Sequence, residues 1–144
     1  MIDKFPKIIA VQAEHSDALT RALENGDFGD PIEANTLADS ISVDVPANGY
    51  YALKELKETG GVCVRVSDKE ILEAQHQLSS TTGLFVEPSS AASLAGLIKM
   101  KNNIPTDATS VLMATGNGLK DIDSAGKGVN IPTKSIKRLE DIND

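Results

Sequence analysis

Apolar positions along the chain follow two alternating patterns. Residues 7–13 (KIIAVQA) form a short β-branched run that predicts a strand buried on both faces. A helix is expected next, because Ala18, Leu19, Ala22 and Leu23 recur at helical spacing. Ser16 stands where it can cap the first amides, Asp17 suits the positive helix end, and Asn25-Gly26 closes the segment. Residues 27–45 carry Gly29, Pro31 and scattered apolar positions, and they read as an ordered loop. A second helix is predicted over 46–58, stopped by Gly60-Gly61, and a strand over 61–66. Ser67 and Glu70 have the spacing of a capping box, with Val66 and Ile71 as its hydrophobic staple, so a helix over 68–79 follows. Beyond it the pattern predicts a strand at 84–86, a helix over 89–101, a strand at 110–114 and a short amphipathic helix over 135–142.

Strands alternating with helices, and apolar throughout, imply a mostly parallel sheet covered on both faces. The expected fold class is α/β, three layers in the order α/β/α. With no repeat, low-complexity tract or break in composition, residues 1–144 read as a single α/β domain. In such sheets ligands sit outside the carboxyl ends of the strands, which selects His15, Ser67, Glu87 and Thr115 as the residues to inspect.

Composition narrows the function classes. The chain has 144 residues, 40% apolar, and carries a net charge of −7. Its arginines are Arg21, Arg65 and Arg138, which speaks against a nucleic-acid surface. No apolar run approaches the roughly 18 residues of a membrane-spanning helix. Cys63, the one cysteine, lies in an apolar run and reads as a small buried hydrophobe, in keeping with a reducing cytoplasm. Two histidines and no cysteine pair give no metal-ligand spacing, and no Gly-x-Ser-x-Gly elbow supports a Ser–His–Asp hydrolase.

Two segments could carry chemistry. In 113–121 (MATGNGLKD) an apolar strand runs into Thr115 and two nearby glycines, which can bring the backbone close to a ligand. The segment is also compatible with a plain strand-to-loop turn, and it lacks the spacing of the common phosphate loops. In 86–96 (VEPSSAASLAG) Glu87 precedes Pro88 and a helix dense in small residues. That helix is either packed tightly on the sheet or presents Glu87 and its free amides to a ligand.

Taken together, residues 7–14, 34–43, 48–53, 67–75, 87–96 and 115–121 resemble, in order and spacing, the threonine synthases, pyridoxal-phosphate enzymes of fold type II. The resemblance implies that the Thr115 hydroxyl bonds the pyridine nitrogen of pyridoxal 5'-phosphate, that Ala38 and its neighbours lie near the ring, and that Glu87 stands at the pocket edge. It implies conversion of O-phospho-L-homoserine and water to L-threonine and phosphate, with the cofactor as electron sink.

The family's Schiff-base lysine, in a Lys-Asp-Arg type of segment, and its Gly-rich cofactor-phosphate loop have no counterpart here. The resemblance therefore implies a C-terminal portion that is silent alone and partners an N-terminal half, contiguous or on a separate chain. An uncovered sheet edge would favour a homo-oligomer. Lys120 is expected to pair with Asp121 or Asp123 rather than to serve as the covalent lysine. Threonine dehydratase and cysteate synthase share the fold and are the alternatives. A non-catalytic receiver-like module is a further one, although its acceptor Asp is missing from the ends of the middle strands.

Overall fold

The computed structural model describes residues 5–130 and Arg138. β1 (Ile9–Ala13) and β2 (Val62–Val66) pair in parallel, with Ile9 opposite Val62 and Ala13 opposite Val66. Between them run α1 (Ala18–Asn25) and α2 (Gly49–Thr59); after β2 come α3 (Asp68–Thr82), α4 (Pro88–Met100) and the short α5 (Ile122–Gly126).

Successive side chains of a strand point to opposite faces, and the register sorts them. Val11, Ala13, Val64 and Val66 share a core with Ala91, Ala92 and Ala95 of α4 and with Ile71 and Ala74 of α3. The opposite face is polar: the Gln12 side chain accepts from the Thr20 amide and hydroxyl of α1, at 2.8 and 2.9 Å. On that same face Arg65 reaches Asp17 at 2.7 Å and Glu24 at 2.6 Å. Helices thus cover both faces in three layers, but only one face of β1 is apolar, which corrects the expectation of a strand apolar on both sides. The small residues of α4 let it lie against the sheet. A Cβ on Gly96 would stand 2.3 Å from Val11 Cγ2, so no larger residue fits that crossing.

The α/β class and the parallel sheet are as expected, with differences in detail. The capping box forms: Ser67 Oγ accepts from the Glu70 amide, and Glu70 accepts from the Ser67 amide at 2.7 Å. The helix it starts continues three residues past 79, where Ser79, Thr81 and Thr82 donate back to carbonyls one turn earlier. Ser16 does not cap α1. Its hydroxyl donates to the Ile41 carbonyl at 2.8 Å and accepts from the Val43 amide at 3.0 Å, so the distant 41–43 backbone takes the group the helix end would have used. Residues 84–86 form one antiparallel bridge, Val86 with Asn117, instead of a strand. Residues 110–114 are not a strand: neither described strand pairs with them, and Val111 and Met113 stand exposed. The helix expected at 135–142 lies outside the described residues, apart from Arg138. Among the described residues no helix is long and apolar enough to cross a membrane.

Candidate functional site

The first turn of α4 is the centre of the site. Pro88 holds the residue before it extended, and Glu87 sits there with φ −65° and ψ 158° as the helix cap. The buried Gln75 of α3 donates to the Val86 carbonyl at 2.7 Å and fixes this entry from below. From above, the Glu87 amide donates to the Gly116 carbonyl at 3.0 Å and the Gly118 amide to the Phe85 carbonyl at 3.1 Å. The two segments singled out in the sequence, around Glu87 and around Thr115, therefore lie against one another. Contact is tight enough that a Cβ on Gly116 would stand 2.0 Å from Glu87 Oε1.

Ser90, in the first turn of α4, clasps the Thr115 loop. Its buried hydroxyl oxygen accepts from the Gly116 amide at 2.8 Å and the Thr115 amide at 3.2 Å, and lies 3.2 Å from the Thr115 hydroxyl. Thr115 itself is exposed. On the other side the carboxylate of Glu87, 7% exposed, meets Lys120 Nζ at 2.9 Å and accepts from the Ser40 hydroxyl at 3.3 Å. Lys120 also bonds Ser40 and stands 3.8 Å from Asp39. The hydrogen bond to Glu87 holds the Lys120 ammonium above its usual range; burial opposes it, and the Asp39, Glu87 and Asp121 charges add to the rise. Its direct partners are thus Glu87 and Asp39, not Asp121 or Asp123. Asp121 instead accepts from the Ser124 amide at 3.0 Å at the start of α5, and its bonds to Ser124 keep its carboxyl below the usual range.

The other expected residues divide. Ala38 is fully buried in the core, and its neighbours Asp39 and Ser40 are what this turn offers the Glu87 side. Ser67 is spent on the α3 cap. His15 is exposed and lines a separate cavity of about 420 Å³ with Asp17, Arg21, Asn35 and Val43. Ser90 and Ser40 had no signal of their own in the sequence, because a serine within a run of small residues is indistinguishable from packing. Among the described residues no group of three metal-ligating side chains exists.

Chemically, the cluster joins one exposed neutral hydroxyl, held by Ser90, to a carboxylate and an ammonium that neutralise each other. The Thr115 hydroxyl can orient an uncharged ligand atom by a single hydrogen bond.

A family model described as pyridoxal-phosphate dependent enzyme matches residues 1–116. The threonine synthase of a Synechocystis strain is 42% identical over 124 residues, 85% of this chain and 31% of that protein. That of Methanocaldococcus jannaschii is 36% identical over 138 residues, 93% of this chain and 34% of its own length. Among solved structures, a threonine deaminase from T.th. superposes with a TM-score of 0.59 and 27% identity, covering 69% of this chain and 36% of that one. The chain spans about a third of the length of the curated relatives it matches.

Proposed function

The chain belongs to the pyridoxal-phosphate dependent enzymes, with the α/β fold of type II, and from that premise we propose that it forms the ring-binding part of a threonine synthase. The observation that carries this reading is the exposed Thr115 hydroxyl, clasped by Ser90 beside Gly116, in a chain 42% identical to a threonine synthase. The donor set fits the cofactor. A pyridine nitrogen needs one hydrogen-bonding partner in the ring plane, and Thr115 offers a neutral one with no charged side chain among its hydrogen-bond partners. When bound, pyridoxal phosphate supplies an electron sink for carbanion chemistry.

The chain's own residues then have three tasks. Thr115 orients the ring by its nitrogen. Gly116 leaves room for Glu87, whose carboxylate holds Lys120 and Ser40, so the 39–41 turn and the 115–120 loop are joined into one wall. Gln75 anchors that wall to α3. The reaction assigned is conversion of O-phospho-L-homoserine and water to L-threonine and phosphate. The segment carrying the covalent lysine comes from the two thirds of the relatives' length that this chain does not span, whether contiguous or supplied by a partner chain.

Likeness to a threonine deaminase favours a second reading, dehydration of threonine, at lower identity than the synthases. One experiment separates them. The full chain is combined with the complementary two thirds of the Synechocystis relative and pyridoxal phosphate, then offered O-phospho-L-homoserine or threonine. Release of phosphate with formation of threonine is expected, reduced up to about tenfold by Thr115→Val, the size of one lost hydrogen bond. Formation of 2-oxobutanoate and ammonia from threonine, with no phosphate release, overturns the synthase reading.

A further inference from the structure

We propose that Ser90 is a positioning residue that fixes the rotamer of Thr115 and directs its hydroxyl outward as a hydrogen-bond donor toward the ring nitrogen. This rests on the cofactor reading above and adds a residue to it.

Counting protons at two oxygens gives the direction of the bond. A serine hydroxyl has one proton to give and two lone pairs to accept with. Both lone pairs of Ser90 Oγ are taken, by the Gly116 amide at 2.8 Å and the Thr115 amide at 3.2 Å. Amides can only donate, so the geometry leaves Ser90 its own proton to place. The partner within reach for it is Thr115 Oγ1 at 3.2 Å. Thr115 therefore accepts from Ser90, and its own proton points elsewhere, toward the exposed side of the loop. A ring nitrogen meeting that proton must accept, which a protonated pyridinium cannot do. Without Ser90, Thr115 could turn about χ1 and either donate or accept.

The relay can be read in the full chain without turnover. Three-bond couplings from Thr115 Cγ2 to its amide nitrogen and carbonyl carbon report χ1. A single rotamer is expected in the wild-type chain and averaging in Ser90→Ala, where alanine suits a helix already built on Ala91, Ala92 and Ala95 and amide protection of α4 checks that it stays folded. Ser90→Cys keeps the bulk but gives a poor donor and acceptor, and it should average too. A locked Thr115 in Ser90→Ala or in Ser90→Cys, or averaging in the wild-type chain, overturns the proposal.

With ring-¹⁵N pyridoxal phosphate and the complementary two thirds of the Synechocystis relative added, the wild-type ring nitrogen should keep its unprotonated shift as pH falls, while in Ser90→Ala it should titrate. A protonated ring nitrogen in the wild type also overturns the proposal. A wild-type chain that locks Thr115 but binds no cofactor even when combined with the complementary two thirds of the Synechocystis relative refutes the cofactor reading and leaves the Ser90–Thr115 relay standing.

Discussion

Gln75 is the hinge on which the site's placement depends, and it offers a test in two parts. Its amide donates 2.7 Å to the Val86 carbonyl from a residue that is 3% exposed. Gln75→Leu roughly keeps the volume but removes the donor. The Val86 carbonyl is then left buried without its partner, at a cost of about 1–3 kcal/mol, of which the added apolar burial returns only part. With a urea slope of about 1–3 kcal/mol per molar, the unfolding midpoint should fall by roughly 1 M at an unchanged slope.

Gln75→Glu sharpens the test through pH. Only the protonated acid can donate to Val86, and burial also disfavours the carboxylate, so the folded-state pKa of the new group rises above its unfolded value of about 4.3. A group with a raised folded pKa contributes stability that is present below the unfolded pKa and lost as pH rises through the folded one. The variant should therefore lie near wild type at about pH 4 and fall progressively behind it toward about pH 8, measured as the difference between the two proteins at each pH. Hydrogen exchange at the Glu87 and Gly118 amides should quicken with it, because those bonds join the same bridge. A Gln75→Leu unfolding free energy within about 0.5 kcal/mol of wild type, or a Gln75→Glu difference that does not change with pH, would refute this reasoning.

Three further outcomes are expected. Asp17 sits below the usual carboxylate range: burial pushes it up, but hydrogen bonds from Arg65 and Arg21 outweigh that. A depressed folded pKa gives stability present above the unfolded value of about 3.9 and lost as pH falls through the folded one, so Asp17→Asn should flatten the acid limb of a stability–pH curve. Ser67→Ala removes the acceptor of the α3 cap and should cost about 0.5–2 kcal/mol in chemical unfolding; a loss below this range would mean that Glu70 caps the helix without it. Gly116→Ala forces a methyl into the Glu87 carboxylate, so Glu87 must leave Lys120 or the loop must shift. Overpacking of this kind costs about 1–3 kcal/mol, and pyridoxal phosphate binding measured by absorbance should weaken more than global stability does.

What was legible in the sequence was local or repeated. The α3 capping box needs only residues three apart, and it formed as read. Glu87 and Thr115 stand at chain positions where an apolar run meets Pro or Gly, and the fold brings both to one helix turn. Expectations failed where a distant group competes with a near one. Ser16 lies at the start of α1, yet the 41–43 backbone captures its hydroxyl from 25 residues away. Lys120 has two aspartates within three residues, yet its closest carboxylate belongs to Glu87, far earlier in the chain, because the bridge of Val86 to Asn117 sets the two loops side by side. Residues 110–114 have the composition of a strand, but a strand exists by pairing, and a sequence pattern cannot supply the neighbour. The same rule explains Ser90. Its chemistry comes from the two amides and the hydroxyl that converge on it from a loop 25 residues on, so the residue that directs the proton of Thr115 looks in the sequence like one more small residue in a close-packed helix.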